Sequence, residues 1–111
     1  MLKKINRIQK RSEFEMLRDK GKLVPGNLFG MSFLKEGEEE NRFGFVISKK
    51  ISKKAVDRNR IKRLLSESVK VNLDKMKSKG NKVAFLAKKT ILGKKMDEVE
   101  TEVRGMLEKI G

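Results

Sequence analysis

Eight lysines and arginines fall between Lys49 and Arg63 against a single acid, Asp57, and they form the densest group in the chain able to do chemistry. Ammonium and guanidinium groups packed this closely bind anions. Arg58 and Arg60 offer planar forks that grip a phosphate bidentately or stack on a base, while Lys49, Lys50, Lys53, Lys54 and Lys62 act as point charges. Asn59 suits a 2′-hydroxyl, a base edge or a helix cap. Asp57 suits the start of a helix, because a carboxylate repels phosphates but is favoured by the positive end of the backbone dipole. Cations gain nothing at that end, and a solvated face normally interleaves both signs. A patch of one sign is repaid when a partner's phosphates neutralise it and release condensed counterions.

The rest of the inventory narrows the classes. There is no cysteine and no histidine, which excludes disulfides, thiolate metal sites and a cysteine nucleophile and removes the commonest general base. Lys plus Arg is 29 against 15 Asp plus Glu, a net charge of +14 with a pI near 10.2, so the partner is a polyanion: nucleic acid, an anionic membrane or an acidic protein. Two-metal hydrolysis by carboxylates is possible in principle. The acids, however, gather at 36 to 40 and in the last helical stretch, where solvent exposure explains them. No apolar run approaches the ~20 residues of a membrane span, and MLKKINRIQKR lacks the apolar stretch of a signal peptide. The expectation is a cytoplasmic chain forming one domain over residues 1–111, with 1–11 a basic arm.

The elements that position the basic group follow from periodicity. From about Val56 to Lys77, Ile61, Leu64, Leu65, Val69 and Met76 recur at helical spacing. They predict a long amphipathic helix whose other face carries Asn59, Arg63, Ser66 and Lys70, with Arg60 and Glu67 beside them. Before it, strands at roughly Leu28 to Lys35 and Arg42 to Ser48 read as a hairpin joined by the acidic loop Glu36 to Asn41. Gly44 weakens the second strand unless the strand bulges or another backbone or a ligand approaches closely. The arm holds Lys3, Lys4, Arg7, Lys10 and Arg11, with Ile5 and Ile8 as anchors. Ser12 and Glu15 have capping-box spacing and Gly21 is a stop, predicting a helix from about Ser12 to Lys20 with Phe14 and Leu17 on one face. Val24, Pro25, Gly26 and Asn27 match a type II turn. Downstream, Gly80 and Asn81 break the long helix and Val83 to Ala87 reads as a strand ending at Lys88 and Lys89. A last helix from about Lys95 to Ile110 presents Met96, Val99, Val103, Met106 and Ile110. That helix carries more acids than bases, so the excess charge is localised in the 49–63 stretch. Helix, two or three strands, helix, strand, helix implies an α/β (α+β) two-layer sandwich.

Ser48-Lys49-Lys50, then Ala55-Val56, Arg58-Asn59-Arg60 and Lys62-Arg63, ending a strand and opening a helix, resembles the signature of bacterial ribonuclease P proteins. The basic arm, the short helix with Phe14, the acidic loop and Ala87-Lys88-Lys89 extend the resemblance over nearly the whole chain. It implies a subunit that binds a catalytic RNA and the 5′ leader of precursor tRNA and assists endonucleolytic removal of the leader. The chemistry is then carried by the RNA through Mg²⁺, with no catalytic residue, metal or cofactor on the protein, no obligate protein partner and no membrane. It further implies a left-handed crossover in the strand, long helix, strand unit, against the usual handedness. Carried over by position, Arg58, Asn59, Arg60, Lys62, Arg63, Lys53, Lys54 and Arg7 contact the RNA subunit. A cleft between the sheet and the long helix takes the leader, with Phe14 as stacking platform and Ser48, Lys49, Lys50 and Lys88 along its backbone. Core packing is the competing role for Phe14. The chain departs from the family at Arg18, where a second aromatic is common, at Ser66, where a base is common, and at Val69, where Phe is common.

Two further classes compete. A ribosomal-protein-like RNA binder without a role in processing fits the charge and fold equally, and the Arg58-Asn59-Arg60 block argues against it. A major-groove DNA binder ranks lower, because no helix precedes the long helix closely enough for a helix-turn-helix. Membrane association ranks last, because the apolar side of the long helix is needed for the core.

Overall fold

Alternation along the strands decides the architecture. In the computed structural model, which describes residues 2–37 and 40–110, Lys22–Val24 (β1), Phe29–Lys35 (β2), Arg42–Val46 (β3) and Asn81–Ala87 (β4) form one sheet in the order β1-β2-β4-β3. β2 is antiparallel to β1 and to β4, and β3 is parallel to β4. One face carries Phe29, Met31, Phe33, Phe43, Phe45, Val83 and Phe85, and the other Gly30, Ser32, Leu34, Gly44, Val46, Ala84 and Leu86. Arg11–Lys20 (α1) covers part of the second face. Ala55–Asn72 (α2) and Met96–Glu108 (α3) pack on the first, giving the mixed α+β fold that the element order implies, with a main helix layer on one face and the short α1 on the other.

The expected hairpin of β2 and β3 does not form. β4 lies between them, because Val83, Ala84 and Phe85 are buried on both faces and a strand apolar on both sides belongs in the middle of a sheet. The hairpin partner of β2 is β1, a strand of three residues whose signal is erased by Pro25 just after it. The type II turn is also absent. Gly26 does not adopt the positive φ that such a turn demands, and its segment is a connection docked on α3. A Cβ at Gly26 would lie 2.3 Å from Met106 Cε, and Glu102 Oε2 accepts the backbone N–H groups of Leu28 and Phe29 at 2.9 and 3.2 Å.

Helix ends differ for local reasons. α1 begins at Arg11 with Lys10 as its cap, so the Ser12–Glu15 capping box does not form. Buried Glu13 faces Arg42 instead, at 3.5 Å. α2 stops at Asn72 and tightens into a 3-10 turn at Leu73–Lys75, short of Lys77. There the Asn72 side chain donates to the Ser68 carbonyl at 2.8 Å, competing with the backbone for the last helical acceptor.

The main core joins Ile61, Leu65 and Val69 of α2 and Val99, Val103 and Met106 of α3 to the aromatic face of the sheet. Phe85 is its centre, edge-on to Phe29 at 5.1 Å and stacked with Phe45 at 5.8 Å. Leu2 of the arm is buried in this core and Ile8 is buried on the other face of the sheet, whereas Ile5, expected as an anchor, is exposed. The arm is further tied by Asn6 Nδ2 donating to Asn41 O at 2.9 Å and Ile8 N donating to Phe43 O at 2.9 Å.

Candidate nucleic-acid interface

The basic group gathers at one end of the molecule because β3 and β4 run parallel and both finish there. From β3 the chain enters Ser48, Lys49 and Lys50, all exposed. They are held in a turn by Ile51 N donating to Ser48 O at 3.0 Å, with Ile47 and Ile51 packed against the core on either side. α2 then starts at Ala55 with Asp57 in its first turn, where Ser52 Oγ donates to Asp57 Oδ2 at 2.8 Å. Asp57 therefore serves the helix start, as its charge suggests. Asn59, in the next turn, is exposed and caps nothing.

Arg58 Nη1 donates to Ser52 O at 2.8 Å, and Arg60 Nη2 donates to Lys94 O at 3.0 Å. Each guanidinium is thereby oriented by one bond while most of its donors stay free. Lys53, Lys54, Lys62 and Arg63 are exposed. Among the described residues none of the eight bases from Lys49 to Arg63 makes an ion pair, and Asp57 is turned to Ser52. Ser66, expected on the same open stripe, is 1% exposed: the arm crosses it, and Leu2 N donates to its Oγ at 3.3 Å. Arg7 reaches the surface where the arm bridges β3 at Phe43. There it lines an open cleft of about 490 Å³ together with Phe14, Phe45 and Lys62.

Ile61, Leu65 and Val69 fill the space under the body of α2, and the cleft between sheet and long helix opens at the sheet edge, where Phe43, Gly44 and Phe45 of β3 face Lys62 and Ser66 of α2. Phe14 borders that cleft and also a second groove, between α1 and the strands on the other face of the sheet. This second groove has a volume of about 460 Å³, and its floor includes Leu23, Val46 and Leu86, with Arg11 and Arg18 at the rim. Phe14 is half-buried and packs against Ile8, Leu17, Leu34 and Ala84. Its ring lies over Gly44, where a Cβ would come within 2.4 Å of two ring carbons, so the glycine exists for this approach. Phe14 is thus packed on one side and open to the grooves on the other.

The family follows from the whole chain. A model of the ribonuclease P protein family matches residues 2–111. The chain belongs to that family. The ribonuclease P protein component of Alkaliphilus oremlandii is 35% identical to it over 98% of this chain and 94% of its own length. That of Clostridium kluyveri is 37% identical over 96% of both. Among solved structures, the ribonuclease P protein of Thermotoga maritima superposes with a TM-score of 0.84 at 25% identity over 95% of this chain and 97% of its own. The Staphylococcus aureus protein gives 0.82 at 26% identity over 96% of both. As a protein component of ribonuclease P, the chain serves that holoenzyme, and the ribosomal-protein-like and DNA-binding readings fall away.

Within this ribonuclease P protein, Ser48, Lys49 and Lys50 and the α2 residues share one end. Val46 and Leu86, paired across β3 and β4, lead two residues later to Ser48 and Lys88 and so join that end to the groove. Lys88 Nζ donates to Gly26 O, which turns it toward the β1–β2 connection. Arg18 lines this groove at the position where the family commonly has a second aromatic, whereas Leu23, Val46, Leu86 and Arg11 are groove residues that the sequence does not announce. The strand alternation places Val46 and Leu86 on one face, but not that the face is left half-covered.

Proposed function

We propose that the end formed by Lys49 to Arg63 docks on the RNA subunit of ribonuclease P, mainly through its phosphates, and that the groove of Phe14 takes the 5′ leader of precursor tRNA. Arg58, Asn59, Arg60, Lys62, Arg63, Lys53, Lys54 and Arg7 make the RNA-subunit contacts; Phe14 stacks on a leader base; Ser48, Lys49, Lys50 and Lys88 follow its backbone. The observation that carries this reading is the continuity of a basic end, free of ion pairs among the described residues, with a half-apolar groove bordered by an aromatic ring. In this reading the protein supplies binding and orientation in the cytoplasm, and the hydrolytic step belongs to the RNA and its Mg²⁺ ions. The absence of His and Cys from the sequence supports that division.

The test is cleavage of a labelled precursor tRNA at low Mg²⁺ by a bacterial ribonuclease P RNA, by this protein and by both. The expected result is slow cleavage by the RNA, none by the protein, and fast cleavage at the mature 5′ end by the pair. Cleavage by the protein alone, or no gain from adding it, overturns the reading.

A further inference from the structure

The segment Lys88 to Lys95 reads KKTILGKK, four lysines and no acid, and the site described above uses only the first of them. This segment is held in place. Ile91 is fully buried, Thr90 Oγ1 donates to Asn27 O, and the 3-10 turn Lys89–Ile91 follows directly from Lys88. Gly93, with φ of 77°, then reverses the chain, leaving Leu92 40% exposed and delivering Lys94 and Lys95 to the first turn of α3. Lysines at a helix start oppose the dipole, as do those before α2. Glu98, the acid nearest in sequence that turns toward them, is engaged by Lys95 N at 2.9 Å, and among the described residues Lys89, Lys94 and Lys95 make no ion pair.

The second observation fixes where this charge sits. Arg60 Nη2 donates to the Lys94 carbonyl at 3.0 Å, so the lysine pair is tied directly to the Arg58-Asn59-Arg60 turn of α2. We infer that Lys89, Lys94 and Lys95 form a second limb of the RNA-docking surface, hinged on Arg60, that binds backbone phosphates of the RNA subunit. The occupant is set by charge complementarity: an unpaired row of cations continuous with another such row is suited to a polyphosphate chain, and a phosphate contact needs no base sequence. Arg60 then has two tasks. One donor holds the loop, and the remaining four N–H groups face the anion. The inference rests on the RNA-docking reading above.

The experiment is filter binding of a bacterial ribonuclease P RNA to the full-length protein across a series of salt concentrations. It compares wild type, Lys94→Gln/Lys95→Gln, Arg58→Ala/Arg60→Ala, and Lys75→Gln/Lys77→Gln, which removes the same charge near the far end of α2. The expected result is that Lys94→Gln/Lys95→Gln lowers the slope of log affinity against log salt by about 2, at nearly one ion per lost phosphate contact. Lys75→Gln/Lys77→Gln should change it by much less, through screened long-range attraction alone. If the Lys94→Gln/Lys95→Gln variant matches that control while Arg58→Ala/Arg60→Ala is weakened, the second limb is overturned and the docking reading stands. If the wild-type protein fails to bind the RNA, both fall together.

Discussion

The two faces of the sheet are built from the same four strands and come to opposite ends. One is sealed: Phe29, Met31, Phe43, Val83 and Phe85 are buried under α2 and α3. The other is covered by α1 and the arm over only part of its width, and Leu23, Val46 and Leu86 remain 65%, 39% and 38% exposed. A long helix pair with two apolar stripes satisfies the first face; a ten-residue helix cannot span the second. Stability therefore resides on the sealed face, and the half-open face retains apolar surface for a ligand. If this division holds, substitutions on the two faces move different measurements.

The largest effect is expected at the centre of the sealed face. Phe85→Ala removes the ring that touches Phe29, Phe43 and Phe45 and should destabilise the fold by about 3–5 kcal/mol, seen in chemical denaturation. A loss below about 1 kcal/mol would mean that the face is not sealed. The next effect lies on the half-open face, where α1 meets β3. Gly44→Val places a side chain where the Phe14 ring sits and should cost about 1–3 kcal/mol of stability through overpacking. If the displaced ring is the platform proposed for the leader, the same variant loses discrimination between leader-bearing precursor and mature tRNA. Stability loss with discrimination intact would separate Phe14 from leader binding.

The sealed face was legible in the sequence and the open one was not. Ile61, Leu65 and Val69 announce α2 by their spacing, and Val99, Val103 and Met106 announce α3, since helical periodicity survives any tertiary context. Strand pairing does not survive it. β2 and β3 are adjacent in sequence and look like a hairpin, and only the burial of β4 on both faces places it between them. A glycine inside β3 suggests a close approach by a backbone or a ligand, and what approaches Gly44 is the side-chain ring of Phe14, which spacing along the chain does not reveal. Ser66 was assigned to the open stripe on helical angle alone. Its burial depends on an arm far away in sequence, which no local pattern encodes. The basic block at Lys49 to Arg63 was legible for a simpler reason: charge needs no partner within the chain to be recognised as exposed.

Phe14 provides a finer comparison, since its ring packs on the half-open face and also borders its grooves. Phe14→Ala should weaken binding of the leader-bearing precursor by about 1–3 kcal/mol relative to mature tRNA, the range for loss of one stacked base. Phe14→Leu, which keeps the contact with Ile8 and Leu17 but removes the aromatic face, should restore stability and leave the binding defect. Equal recovery of both by leucine would make the ring a packing element only.

The smallest effect, and the sharpest for the boundary of the groove, is at Leu23 on β1, at the edge of the sheet. The side chain is 65% exposed, so Leu23→Ser should alter stability by no more than about 0.5 kcal/mol. If the leader crosses the open face as far as β1, the variant loses part of the ~1.5–3 kcal/mol available from burying a leucine, and precursor binding weakens by a few fold. If stability falls substantially instead, Leu23 is covered in solution and the open face is narrower than the groove suggests. If neither changes, the leader path ends at Val46 and Leu86, and the edge strand serves the sheet alone.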